Sequence, residues 1–337
     1  MRVADRSVAR NYLKHLHRSQ AKYQETNQKI ASGNRFTKLS DDVSAGSRVL
    51  RSRMERYKAE KQLANTQEAN SELKIAEDNL MSINQILTII HEDKAVRALN
   101  DPTSDYGRQI IAGEIESLMV EFLQHANASY GNMFPFGATN AYAAPFTVSS
   151  SGKMLYNGID MDSITRDPAT GKLMSGGQEV PMNQDIYFDI GLGIRMSGSE
   201  VNEATAFKLS FSGPEVFGWG VDEDGLSNNI YNVLFELKNN LEVFDRAEAE
   251  KWNTKLRALM DGYRSNLTDI GTKTNFLDAM EKRLKDTIDN HTERIHQLMG
   301  VDDAEEATHQ MMNDYVLKAV LQMGSMVLPL SLMDFIR

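Results

Sequence analysis

Chemistry in this chain would have to come from seven histidines, at 15, 17, 91, 125, 291, 296 and 309, and from acidic clusters, because it contains no cysteine. Disulfides, thiolate metal sites and thiol nucleophiles are thereby excluded. His91-Glu92 opens like an HExxH zinc site, but position 95 is Ala, so the second imidazole one turn on is missing. His91 is therefore expected on the surface of a long helix. Gly191-Leu192-Gly193-Ile194-Arg195-Met196 lacks the last glycine of a dinucleotide fingerprint and sits among strand-like residues, not between a strand and a helix. Neither a GxxxxGK[ST] phosphate loop nor a GxSxG elbow occurs. Asp222, Glu223 and Asp224 lack EF-hand spacing and fit a solvated turn. Asp302, Asp303, Glu305 and Glu306 are accounted for by the positive end of a helix dipole. The residues call for no enzyme, no cofactor and no metal.

The elements that would have carried such a site are more informative than the site. At the C-terminal end Met312, Val316, Ala319, Met323, Met326, Leu330 and Met333 step by four and three. At the N-terminal end Ala9, Leu13, Leu16, Gln20, Tyr23, Asn27 and Ile30 do the same. Such spacing is a coiled-coil seam, to be buried against the other seam or against other copies. Several of the eighteen methionines lie on seams, where an unbranched thioether fills irregular gaps.

Between the seams the pattern divides the chain. Residues 1–31 form a helix ended by Ser32-Gly33-Asn34, and Ser40 is the expected N-cap of the next, with Asp41 and Asp42 at its positive end. That second helix carries Ala69, Leu73, Ala76, Leu80, Ile83, Leu87 and Ile90, with no Gly or Pro from Ser47 to Asp101. A third carries Ile111, Ile115, Leu118, Phe122 and His125. From Gly131 to Gly225 lie 14 of the 22 glycines and five of the seven prolines, with alternating runs at 186–190 and 206–211 and turn signals at Asn157-Gly158 and Ala169-Thr170-Gly171, which marks a β-rich insert. Helix returns with Ile230, Leu234, Leu237, Leu241 and Phe244, then Trp252, Leu256, Leu259, Tyr263, Ile270, Leu277, Met280 and Leu284. The expected fold is mainly α with a β-rich insert: an elongated helical bundle or coiled coil made of N- and C-terminal segments, with a small β-rich domain at its far tip. The expected division is 1–40 with 300–337 as a terminal coiled coil, 41–130 with 226–299 as a helical bundle, and 131–225 as the insert.

Charge is unevenly spread. Residues 1–61 hold 15 Lys and Arg against six Asp and Glu, leaving −19 for the rest of a chain of net −10. Arg2, Arg6, Arg10, Lys14, Arg18 and Lys22 make a basic stripe, while residues 278–314 offer ten acids against four bases. A complementary partner thus exists within the chain, and the expectation is no nucleic-acid and no membrane partner; steep salt dependence on DNA would mark the alternative, a nucleic-acid-binding coiled coil. No run approaches the roughly 20 apolar residues of a membrane span. The N-terminal segment has the charge of a signal peptide without its apolar core, so export by the general secretory route is not expected, and a route without a cleaved signal stays open.

Three stretches then carry a resemblance. Ser19-Gln20, Ile30-Ala31-Ser32-Gly33-Asn34-Arg35 and Ser40-Asp41-Asp42 with Gly46 resemble the N-terminal signature of bacterial flagellins, with Leu39 and Val43 standing where that family commonly has proline. Asp302-Asp303-Ala304-Glu305-Glu306-Ala307 before a terminal apolar helix resembles the flagellin C-terminal block. The segment 129–139, Pro145-Phe146, Leu155-Tyr156-Asn157-Gly158 and the tail 328–336 are similar to the hook–filament junction members of that family. The resemblance implies an extracellular structural adaptor, a ring of copies of itself at the hook–filament junction. It would touch a neighbouring hook-associated protein on the hook side and flagellin on the filament side, and an export chaperone would bind its C-terminal helix. A filament-forming flagellin and an enzyme carried on a flagellin-like scaffold stay open as alternatives. The expected assembly residues are Leu13, Leu16, Tyr23 and Ile30 in front and Val316, Ala319, Met323, Met326 and Leu330 behind. Isolated helices with narrow seams are marginal in water, so residues 1–40 and 300–337 are expected to be mobile in the free monomer.

Overall fold

The structure, a computed structural model, describes residues 2–100, 103–129, 131, 134–137, 143–180, 187–193, 195–197, 200–201, 207–208 and 211–327. The tail 328–336, and Tyr130, Asn132, Met133, Ala138 and Thr139 of the aromatic-glycine segment, lie outside them. The chain folds into two compact units, one from residues 1–60 and 285–337 and the other from 61–284. Its fold is mainly α with a β-rich segment between helices.

The first unit holds α1 (Arg2–Ser32), the start of α2 (Val43–Thr88), the end of α7 (Arg246–Met299) and α8 (Asp303–Val327). Gly33 takes φ +66°, a conformation costly for any residue with a Cβ, and this ends α1 at its expected place. The start of α2 differs from expectation. Asp42, not Ser40, is the cap: its Oδ1 accepts from the Ala45 N–H at 2.8 Å, while Ser40 turns its hydroxyl to Asp41. Leu39 lies over Gly46, where a Cβ would stand 2.6 Å from the Leu39 methyl. The turns after α1 and after α7 bond to one another: Arg35 N donates to Met299 O at 2.7 Å and Val301 N to Gly33 O at 3.1 Å. Phe36, Ala45 and Val49 are buried beside Ile295, Leu298 and Met299.

In the second unit every residue of the expected α2 seam from Ala69 to Ile90 is buried. The helix does not run unchanged to Asn100. Residues Ile89–Ala95 form a π-helix, and α3 (Val96–Leu99) follows. A π turn takes in one extra residue, and Ile90 and Ala95, five apart, are both buried. His91 sits in this turn half-buried, its Nδ1 2.8 Å from Asn253 Oδ1. The third expected helix is α4 (Asp105–Ala126), capped by Ser104, whose Oγ accepts from Gly107 N at 3.1 Å. The fourth is α6 (Ile230–Glu242). Phe244 follows at φ +54° and stacks on the buried Arg108 guanidinium, 3.4 Å from the ring centre.

The β-rich segment is four small antiparallel sheets among the described residues. β1 (Phe146–Val148), β2 (Met154–Tyr156) and β3 (Ile159–Asp160) make one sheet; β4 (Thr165–Arg166), β5 (Leu173–Ser175) and β6 (Gln178–Glu179) make another. β7 (Tyr187–Phe188) pairs with β10 (Phe207–Lys208), and β8 (Met196–Ser197) with β9 (Glu200–Val201). Asn157-Gly158 turns β2 into β3 as expected, both residues with positive φ, as a two-residue hairpin demands. One element runs against expectation: α5 (Gly213–Phe217) is helical, with Pro214 in its first turn and Glu215 Oε2 accepting from Ser212 N at 3.4 Å. Phe217 at its end is fully buried and meets Phe122, Phe136 and Phe146 at centroid distances of 5.4, 5.6 and 5.2 Å. Strands and helices of this unit therefore share one core.

Phe217→Ala should lower the unfolding free energy by about 3–5 kcal/mol, the usual cost of emptying a closed aromatic site. Urea titration followed by near-ultraviolet circular dichroism checks this, and a loss below about 1 kcal/mol would mean the ring is not the centre of the shared core.

Candidate assembly interface

The first and last helices pair within the first unit, and the pairing is antiparallel. Gln310 Nε2 donates to Asn27 Oδ1 at 2.5 Å and Asn313 Nδ2 to Thr26 Oγ1 at 2.8 Å, while further along Gly324 faces the Tyr12 hydroxyl. The less exposed described positions on α1 include Ala9, Tyr12, Leu16, Ser19, Tyr23, Thr26 and Ile30, a four-and-three heptad, with Asn27 and Lys29 beside its end. Those on α8 include Glu306, Gln310, Asn313, Leu317, Val320 and Gly324, another. Much of this seam is polar or small. A polar group at a seam position sets register and costs stability, and the hydrogen bonds it makes in exchange return about 1 kcal/mol each.

The apolar seam expected on α8 is therefore not the one that meets α1. It lies one residue over. Val316 and Met323 are 43% and 58% exposed, and Met312 is exposed beside them. They line a groove of about 660 Å³ whose α1 wall includes Val8, Tyr12, His15 and Ser19. Ala319 is half-buried, Met326 is placed only by its position in α8, and Leu330 lies outside the described residues. On α1, Leu16, Tyr23 and Ile30 are half-buried on the α8-facing seam, whereas Leu13 is exposed. Tyr12, Ser19, Thr26, Gln310, Asn313 and Gly324 were not singled out by hydrophobic pattern because most are polar or lack a side chain. Their regular spacing was the signal that could have found them.

Around this pair the charges are local. Asp302 caps α8, its Oδ1 accepting from Ala304 N and Glu305 N at 3.0 and 3.1 Å. The Asp314 carboxylate, 2.6 Å from Lys318 Nζ, holds that ammonium above its ordinary pKa. Buried Glu306 lies 3.5 Å from His309 Nδ1. Among the described residues no group of three or more His, Asp or Glu side chains could hold a metal ion, and no helix is long and apolar enough to cross a membrane.

Residues 3–141 match the bacterial flagellin N-terminal helical region. The chain is 26% identical over 178 residues to flagellar hook-associated protein 3 of Salmonella typhimurium, a match covering 52% of this chain and 54% of that one. The chain thus spans about half the length of that relative. It is 21% identical over 328 residues to flagellar hook-associated protein 3 of Escherichia coli, covering 95% and 94% of the two chains. In fold it is similar to a putative flagellar hook-associated protein of Vibrio parahaemolyticus, with TM-score 0.56 and 17% identity over 77% of this chain and all of that one.

If the α1–α8 seam favours register over strength, replacing its bonded polar pair by apolar residues should strengthen it. Thr26→Leu with Asn313→Leu is expected to stabilise the pair by about 1 kcal/mol or more, seen as slower amide hydrogen exchange over residues 8–30. Faster exchange would mean that the Asn313–Thr26 bond stabilises the pair more than apolar packing can.

Proposed function

We propose that this flagellin-like chain, which carries the flagellin N-terminal helical region over residues 3–141, is a structural adaptor of the bacterial flagellum that joins hook to filament as a ring of copies. The relatives aligned with it are named for a hook-associated role, one along 95% of this chain. The observation that carries the reading is the two-sidedness of α8. Its inner face meets α1 through a partly polar seam, and its outer face presents Met312, Val316 and Met323 to solvent. Fully burying side chains of that size is favourable by about 1.5–3 kcal/mol each. A neighbouring copy that covered them would supply what the α1–α8 seam lacks.

In this reading residues 1–40 and 300–337 are the assembly segments, with Leu13, Leu16, Tyr23, Ile30, Val316, Ala319, Met323, Met326 and Leu330 as interface residues. Residues 41–130 with 226–299 form the helical body and 131–225 its β-rich insert. The ring meets a hook-associated protein on one side and flagellin on the other, outside the cell. The chain is exported, and an export chaperone holds its last helix. The role is structural and needs no catalytic group. A filament-forming flagellin is the second reading, since the matched N-terminal region is described for flagellins generally.

Immunogold microscopy of isolated flagella with an antibody to residues 140–220 separates the two. A single band between hook and filament is expected; label along the filament would make the chain a flagellin, and an unlabelled flagellum would sink both readings. Met323→Asp should leave near-ultraviolet circular dichroism unchanged and remove that band. If Met323→Asp protein still enters flagella at the unsubstituted level, the outer face of α8 is not an assembly surface.

A further inference from the structure

Helix α2 has two apolar faces in the first unit, and the fold covers one of them. Ala45 and Val49 are buried with Phe36 beside the end of α7. On the opposite side Val43, Leu50, Met54 and Tyr57 occupy the positions 43–47–50–54–57, a four-and-three heptad, and all four are exposed, Met54 at 72%. An apolar stripe directed away from the core marks an interaction surface. Its surroundings are basic: Arg48, Arg51, Arg53 and Lys58 accompany it, against Glu55 and Glu60.

The complement is on α8. Ala304, Met311 and Tyr315 fall on the heptad 304–308–311–315, and Tyr315 is 75% exposed. Around the helix this stripe is separate both from the residues that meet α1 and from the groove-lining Val316 and Met323. Its flanks are acidic, with Asp303 and Glu305 and with Asp314, which pairs with Lys318 at 2.6 Å on its far side, and no Lys or Arg occurs from 303 to 315. At about 1.5 Å per residue the two stripes run roughly 21 and 17 Å, so one can lie along the other.

We propose that the 43–57 stripe of α2 is the docking surface for the acidic first half of α8 of a second copy of this chain. Two α2 stripes meeting each other would oppose Arg51 and Lys58 to their own kind, and like charge across an interface is penalised. The contact is therefore heterologous: every copy offers one face and receives another, which builds a closed ring or an open helix. This rests on the reading that copies pack side by side, and it does not depend on where in the flagellum they do so.

Because the chain has no cysteine, introduced thiols report on this contact alone. Full-length Met54→Cys protein is mixed at high concentration with full-length Tyr315→Cys protein and treated with a short bismaleimide. The mixed dimer is expected in excess over both like-with-like dimers. It should be lost at about 1 M salt, where charges are screened beyond about 3 Å. Arg51→Glu with Lys58→Glu on the Met54→Cys copy should also abolish it, and Asp303→Lys with Asp314→Lys on the other copy should restore it; circular dichroism verifies that each variant is folded. A Met54→Cys self-dimer equal to the mixed one, a yield indifferent to charge reversal, or no mixed dimer at all would overturn the proposal. Performed in free solution, such a failure leaves the immunogold band untouched, so the two readings fall separately.

Discussion

The first unit depends on one constraint: the two ends of a 337-residue chain must find each other across a seam that is only partly apolar. Thr26, Asn313, Gln310 and Asn27 pair by hydrogen bonds at one end, and Tyr12 meets Gly324 towards the other. Sliding either helix by a turn would break both bonds and drive Tyr12 into a residue with a side chain. The seam is thus demanding about register and modest about strength, the combination expected where polar groups occupy heptad positions. The turns behind it follow from that register. With α1 and α8 aligned, Gly33 and Val301 come within hydrogen-bond distance and Arg35 reaches Met299 O.

The second unit is held differently. Among the described residues none of its strands exceeds three residues, too short to stand as sheets, so they are tied to helices instead. Asn232 on α6 is buried and accepts from Met154 N at 2.7 Å, while its Nδ2 donates to Asp162 Oδ1 at 2.9 Å. Lys153 closes the other side of Asp162 at 2.8 Å, and that carboxylate is what raises the Lys153 pKa. Around Phe217 the aromatic rings of α4, α5 and β1 converge. The β-rich segment takes its core from the helices it is inserted between.

These two modes of cohesion explain what could be read beforehand. Long apolar heptads announce themselves, and the seam residues between Ala69 and Ile90, and Ile230, Leu234, Leu237 and Leu241, are buried as their spacing requires. Polar contacts do not announce themselves. The α8 residues that face α1 include Glu306, Gln310, Asn313 and Gly324, and a search for hydrophobic period selects the richer stripe one residue away. The α5 helix was hidden for a related reason. Ser212-Gly213-Pro214-Glu215 looks like a turn, yet Pro is tolerated in a first helical turn and Ser with Glu three residues on has the spacing of a capping box. Asp42 displaced Ser40 as a cap because both residue types are good acceptors, and only the backbone path decides which one reaches the free N–H groups.

The separation of faces on α8 has a consequence for assembly. A helix whose strongest apolar stripe met its partner within the chain would be most stable alone, and would give up that contact to join a neighbour. Here the polar, register-setting face is turned to α1, and the methionine-rich face is left over. In the proposed assembly, joining another copy would add burial without first breaking that contact. Methionine suits an uncovered face of this kind because its unbranched thioether adapts to whatever surface comes to cover it. The same division appears on α2, where small and branched residues pack inward and Leu50, Met54 and Tyr57 remain outside. If the proposed assembly holds, intramolecular specificity and intermolecular adhesion lie on different sides of the same helices, so one can be altered by substitution while the other is kept.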